Sequence, residues 1–434
     1  MGKESINREI LHLAVPSIVT NITTPLLGLV DVAIVGHMGA AAYIGAIAVG
    51  GSMFNMLYWL FGFLRMGSSG MTAQCYGSGD KEGQSKILEQ ALLVALIAGA
   101  LMIALRHPVC EAVLWFMDVD TTTRELARTY FLILIWGAPA VLGNYVICGW
   151  LLGMQNSKAT MWISIFINLC NIAASCTLVY ALHYNIPGVA LGTLCAQWAG
   201  FFLAASIALL RYDIVLCRLK ELCELKGLKR FFRINGDIFL RTVCLVTVTL
   251  WFTRTGARQG EEMLAVNALL MQFFTLFSFF MDGFGFSGEA LAGKYIGAGD
   301  KPRLSKSIIK ICRWGLLLAV IFTIIYAVGG DLLLRLLSDD HKVVAHAREY
   351  MYWVITIPVA GFLAFTWDGV FIGATATREM LMTMACATAI FFATYFIAYP
   401  LLGNHGLWLA FICYLLTRSV ALSIIGRRYL IRKH

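Results

Sequence analysis

Charge is what this sequence has least of. Of its 434 residues, 14% are charged and 59% hydrophobic, against the roughly 25% charged residues of an ordinary soluble domain. A soluble chain of this size keeps about a quarter of its surface wet, and so cannot hide this much apolar side chain. Lipid is the expected solvent. Paired cysteine motifs are missing too. The twelve cysteines are scattered, mostly through apolar stretches, and no CxxC occurs. A disulfide framework gives way to free thiols packed as small apolar residues. No His or Cys set has metal-ligand spacing, and no cofactor motif is present. The Ser/His or His/Asp cluster that an intramembrane transferase would need is also absent, because His183, His341 and His405 fall in expected outer loops. The loops Gly77-Ser-Gly-Asp-Lys81 and Gly297-Ala-Gly-Asp-Lys301 lack both the GxxxxGK[ST] of a phosphate cradle and the strand-to-helix setting of a dinucleotide turn. They are expected to be turns in which glycines end one helix and Asp80 or Asp300 caps the next.

Long apolar runs fill the space these absences leave. A membrane span takes about 20 mostly apolar residues. Twelve such stretches centre near residues 23, 54, 98, 138, 170, 199, 246, 276, 320, 359, 391 and 416, so the chain is predicted to be an all-α polytopic membrane protein. The first run follows a segment of mixed charge, Met1 to Glu9, and contains Pro16 and Pro25. It outlasts the roughly 7–15 apolar residues of a secretory signal and is read as a retained first span. With the amino terminus in the cytoplasm, 23 Lys and Arg fall on inner segments and eight on outer ones. That bias predicts a multi-pass protein with both termini cytoplasmic. The net charge of +9 is then topology rather than a nucleic-acid footprint, and its anionic partner is the bilayer.

The runs repeat. Gly77 to Lys86 and Gly297 to Lys306 are identical at six of ten positions, at an offset of 220. The same offset pairs Gly36 with Gly256, Phe54 with Phe274, Ala127-Arg128 with Ala347-Arg348, Tyr130 with Tyr350, Gly149 with Gly369 and Gly153 with Gly373. Six spans per copy is an even number, so both copies enter the membrane in the same direction. They should form two lobes related by a pseudo-twofold axis along the membrane normal. The predicted division is a first lobe over 1–210, a basic cytoplasmic linker over 211–233 and a second lobe over 234–434. Transport sites in such duplicated proteins lie near the bilayer midplane.

Ionisable residues inside spans are costly and are functional candidates. Asp31 stands in the first span, Asp282 and Glu289 in the eighth, and Asp368 in the tenth. Asp31 lies on a helix with two prolines, which remove hydrogen bonds and invite bending. A titratable group on a bendable helix suits a proton-driven switch, and packing against neighbouring helices is the plainer alternative. Asp282 and Glu289 share a helix face seven residues apart; they either line a cavity, meet Asp368 or sit at the water interface. Asn168, Asn171 and Ser175 follow one face of the fifth span, a pattern that glues membrane helices together as readily as it builds a ligand site.

Several phrases together resemble the multidrug and toxic compound extrusion (MATE) family, in particular its DNA-damage-inducible F-like prokaryotic branch. They are Pro25-Leu-Leu-Gly-Leu-Val-Asp31 with Val35-Gly36-His37, Gly62-Phe-Leu-Arg65-Met-Gly67, Asp282-Gly-Phe-Gly-Phe-Ser-Gly-Glu289-Ala, Ile296-Gly-Ala-Gly-Asp300 and Asp368-Gly-Val-Phe-Ile-Gly-Ala374. The resemblance implies a twelve-helix, two-lobed antiporter of the bacterial inner membrane that exports small organic compounds, often cationic and drug-like, in exchange for protons or sodium. Asp31 would be the coupling acid, Asn171 and Thr193 its partners, and Pro16 the helix-bending residue. Asp282, Glu289 and Asp368 are secondary cavity acids. The family commonly has an aspartate four residues after the fifth-span asparagine, where this chain has Ser175. A single carboxylate favours protons over sodium, since a hard cation is held by oxygen ligands carrying carboxylate charge. The chain is expected to act as a monomer. A lipid-linked saccharide flippase of the same wider superfamily is the nearest alternative. It would line its cavity with several Arg or Lys, and only Arg65, Arg241 and Arg418 lie in or beside spans.

Overall fold

Residues 5–36, 41–117, 121–215, 225–338 and 340–428 are described by a computed structural model, and they are helical nearly throughout, with no strand among them. The first half contributes α1 (Ile6–Gly36), α2 (Ala41–Leu60), α3 (Phe63–Ser78), α4 (Lys81–Ala104), α5 (Arg106–Met117), α6 (Thr121–Leu134), α7 (Ala138–Gly153), α8 (Ser157–Cys176) and α9 (Asn185–Arg211). The second half contributes α10 (Leu225–Arg258), α11 (Glu261–Gly297), α12 (Lys301–Leu337), α13 (His341–Gly373), α14 (Thr377–Leu402) and α15 (Asn404–Gly426). Among the described residues, eleven segments are long and apolar enough to cross a membrane, and α1 is a further helix of 31 residues. The predicted all-α membrane chain is therefore the observed one, and these helices are consistent with twelve spans. His341 and His405 depart from expectation: they stand in the first turns of α13 and α15 rather than in loops, and His405 Nδ1 meets the Tyr352 hydroxyl at 2.8 Å. His37, the linker residues Arg218 and Lys220, and the terminal Lys3, Arg432 and Lys433 lie outside the described residues.

The chain forms two compact units. One is Val19–Asn235; the other joins the residues up to Ile18 to those from Gly236 onward. In the first, α8 packs on α9, α7 on α3, α4 and α9, and α2 on α6. In the second, α13 packs on α11, α12 and α15, and α14 on α15, around a core that includes Phe273, Phe277, Tyr326, Phe391, Trp408 and Phe411. The opening turns of α1 belong with this second unit because their partners are there. Ser287 donates to the Ile10 carbonyl at 3.1 Å, and Glu9 accepts from Lys294 at 3.0 Å and from Tyr295 at 2.7 Å.

The duplication is visible in the packing. Gly149 lies against the Arg65 carbonyl and Gly369 against that of Gly285, 220 residues further on; Gly153 lies on Ser69 and Gly373 on Glu289, again 220 on. A Cβ at any of the four would overlap main chain. The loops behave as expected. Gly79 and Gly299 close their helices at φ 74° and 68°. Asp80 then accepts from the Gly83 amide at 2.8 Å and Asp300 from the Arg303 amide at 3.0 Å.

Candidate functional site

Within the first unit, α8 and the π-helical turn that follows it (Thr177–Ala181) hold the second half of α1 by its main chain. Asn168 Nδ2 donates to the Thr23 carbonyl at 3.0 Å and the Tyr180 hydroxyl to the Ile34 carbonyl at 3.2 Å. Asp31 lies between these two contacts and is 3% exposed. Its Oδ2 accepts from the Thr193 hydroxyl of α9 at 3.1 Å, and Asn171 Nδ2 of α8 donates to Thr193 Oγ1 at 2.8 Å. The structure therefore joins the three residues that the resemblance nominated. Thr193 is also 3.1 Å from the Val189 carbonyl, so its single proton has two acceptors to choose between. Ser175 is buried one turn after Asn171. Asp31 Oδ1, Asn171 Oδ1 and Ser175 Oγ have no hydrogen-bond partner among the described residues, and no cation pairs with Asp31 there.

Tyr130 completes the setting. Its buried phenol lies near Thr193 and Asp31. Sequence reasoning met Tyr130 only as a repeat partner of Tyr350, a signal of scaffold and not of site. Along α1 the helix ladder is weakened repeatedly. Pro16 is buried within it, Ser17 bonds back to the Leu13 carbonyl at 2.8 Å, and Thr23 and Thr24 both bond back to Thr20 at 3.0 and 2.9 Å. Prolines and back-bonding hydroxyls both favour bending.

The second-half acids behave differently. Glu289 is fully buried and Asp282 half-buried on α11. The sequence left open that they meet Asp368, but that carboxylate is instead held by two buried arginines, Arg241 of α10 and Arg418 of α15. Opposite charge explains the choice, since a carboxylate in an apolar interior gains from a guanidinium and loses from a second acid. The positions 220 residues after the Asp31 cluster carry Trp251 for Asp31, Phe391 for Asn171, Tyr395 for Ser175 and Cys413 for Thr193. Three of these form an aromatic cluster, with Trp251 edge-on to Tyr395 at 5.8 Å and Phe391 stacked on Tyr395 at 6.3 Å. No metal-binding group of His, Cys, Asp and Glu occurs among the described residues.

A single family model, MatE, matches the chain twice, over residues 16–177 and 237–397. DNA damage-inducible protein F of Escherichia coli (strain K12) is 37% identical over 438 residues, covering 98% of this chain and 93% of that protein. Multidrug resistance protein MdtK of Proteus mirabilis (strain HI4320) is 23% identical over 404 residues, covering 91% and 86%. Among solved structures, the crystal structure of MATE in the bent conformation superposes with a TM-score of 0.88 at 18% identity, covering 98% of this chain and 95% of that one.

Proposed function

The chain belongs to the MatE family of membrane transporters, and from that premise we propose an antiporter that exports small organic compounds across the bacterial inner membrane in exchange for protons taken up at Asp31. The observation that carries this reading is the alternative open to the Thr193 hydroxyl. With Asp31 charged, Thr193 donates to Oδ2 and accepts from Asn171. With Asp31 protonated, the new O–H can donate to Thr193 Oγ1, whose own proton turns to the Val189 carbonyl. A hydroxyl has one donor and two acceptor lone pairs, so Thr193 meets Asp31 and Asn171 in both states. The site loads and unloads a proton without orphaning a neighbour.

A buried carboxylate without a cation is costly. Proton entry from outside therefore favours the arrangement that keeps Asp31 dry, and proton loss favours one that admits water. Substrate preferring the second arrangement would exchange with the proton reciprocally. Pro16 and the back-bonded hydroxyls of α1 supply the bending between the two. The relatives favour efflux over a saccharide flippase or a transferase, since the similarity to a multidrug resistance protein spans most of both chains. The lysine and arginine bias supports cytoplasmic termini, and the chain is read as working alone.

Sodium remains a specific second reading because three buried oxygens around Asp31 lack partners among the described residues. Membrane vesicles carrying the wild-type protein or Asp31→Asn, given either a pH or a sodium gradient and ethidium as fluorescent cation, separate the two. Proton coupling predicts efflux driven by the pH gradient alone and lost in Asp31→Asn with insertion intact. Normal efflux by that variant would sink the assignment, and drive by sodium alone would replace the ion.

A further inference from the structure

We propose that the Arg241–Asp368–Arg418 cluster is a carboxylate-binding site that admits organic anions and zwitterions to the substrate range; this rests on the efflux reading above. The three side chains come from α10, α13 and α15 and are 8%, 7% and 3% exposed. Both guanidinium groups converge on one atom, Asp368 Oδ2: Arg418 Nη2 donates to it at 2.6 Å, and Arg241 Nη2 donates to it as well. The charge does not balance. Two cations face one carboxylate, and among the described residues no second acid bonds either arginine.

Donors are left over as well. Each guanidinium offers five N–H groups, yet the Nε of both Arg241 and Arg418 is buried without an acceptor. One arginine would neutralise Asp368, so a packing role accounts for one and leaves the other unexplained. A buried surplus charge with unmet donors is unfavourable. The group that relieves both is a monoanion with two coplanar acceptors, and a carboxylate fits the guanidinium fork in that way. Beside the fork the buried packing is aromatic. Arg418 lies over the Tyr414 ring at 5.3 Å, and Tyr414 contacts Phe391 and Phe411. A carboxylate on an apolar body meets matching chemistry at both ends.

Asp368 is then the internal occupant of the forks and competes with the substrate carboxylate for them. The repeat sets the cluster apart from the shared scaffold. The residues 220 earlier are Asn21, Cys148 and Trp198, none of them charged, so this arrangement belongs to the second half alone.

The test uses purified full-length transporter in phosphatidylcholine vesicles, with pyrenebutyrate as the carboxylate, pyrenebutanol as its neutral analogue and ethidium as the cation. Wild-type protein is expected to bind pyrenebutyrate saturably and to unfold at higher temperature with it but not with pyrenebutanol. Arg418→Gln should lower the pyrenebutyrate-to-ethidium transport ratio roughly tenfold or more, the loss expected when a charged hydrogen bond goes. Asp368→Asn removes the competitor and should tighten pyrenebutyrate binding by roughly the same factor. Equal stabilisation by pyrenebutyrate and pyrenebutanol overturns the proposal, as does a transport ratio unmoved in folded Arg418→Gln. Unchanged or weaker binding in folded Asp368→Asn overturns it too. If neither variant folds, the wild-type comparison of the two pyrene compounds decides. Failure of wild-type protein to export ethidium would count against the efflux reading and would leave the binding experiment standing.

Discussion

Thr193 holds one proton between two acceptors, and that makes it more than a spacer between α8 and α9. Replacing it with valine keeps the shape and removes the hydroxyl. Asp31 then loses the Thr193 donor and Asn171 Nδ2 its acceptor, and an unsatisfied buried polar group costs about 1–3 kcal/mol. Thr193→Val is expected to lose most pH-driven efflux and to unfold at lower temperature in detergent. Thr193→Ser restores the hydroxyl and should recover transport. Equal transport by the two variants would show that the hydroxyl has no part in coupling. Ser175 marks the other side of the site. Its Oγ lies against Gly192 of α9 and has no hydrogen-bond partner among the described residues. Ser175→Asp adds the second carboxylate that a hard cation needs. Vesicles carrying that variant should acquire a sodium-driven component of ethidium efflux that wild-type vesicles lack.

At the scale of helices, the two halves share contacts but not continuity. The spans 45–78 and 121–153 are interrupted, the first by a turn at Phe61-Gly62 and the second by the 3-10 turn Ile135–Gly137, and α8 ends in a π turn. Their counterparts α11, α13 and α14 run unbroken for 37, 33 and 26 residues. Helix irregularities of this kind gather at functional sites and hinges, and here they gather in the half that holds Asp31. Proline inside a helix costs about 3 kcal/mol, so a buried Pro16 that served packing alone would be a poor choice. Pro16→Ala is expected to leave thermal stability equal or higher and to slow ethidium efflux several-fold, the separation that a bending role requires and a packing role does not. The glycine contacts predict the opposite pattern. At Gly149 and Gly369 an added Cβ meets the main chain of the neighbouring span, which cannot step aside. Overpacking costs about 1–3 kcal/mol, so Gly149→Ala and Gly369→Ala should each lower the unfolding temperature, and by similar amounts because the repeat gives them the same surroundings.

For the whole molecule, what could be read in advance was what is local or periodic. Twelve apolar runs, the loop caps at Asp80 and Asp300, and the offset of 220 are all present within short windows or their repetition. Asp31 stood out because an acid inside an apolar run is expensive wherever the chain goes. Its partners stood out less: Thr193 lies 162 residues from Asp31 and carries no local mark, and Asn171 showed only as part of a polar face that packing explains equally well. Resemblance supplied them. Asp368 shows the limit most clearly. Its partners Arg241 and Arg418 lie 127 and 50 residues away, and only the packing of α10, α13 and α15 brings opposite charges together where the sequence had left a meeting with other acids open. The interruptions at residues 135–137 and 177–181 were equally hidden, since nothing in their composition separates them from the helices they break. The divergence of the halves then fixes an electrical expectation. One half has the Asp31 cluster, while the other has Trp251, Phe391 and Tyr395 at the equivalent positions, so the proposed coupling at Asp31 predicts one proton per cycle. Export of a monovalent cation against one proton moves no net charge. Export of a monovalent anion against one proton moves two, and each charge is worth about 2.3 kcal/mol per 100 mV. With the pH gradient held constant and the potential clamped by potassium and valinomycin, ethidium efflux should be indifferent to voltage. Pyrenebutyrate efflux should accelerate steeply as the interior becomes negative. A voltage-sensitive ethidium efflux would require a second proton per cycle, and Glu289, the fully buried acid of α11, would be the first residue to replace in looking for it.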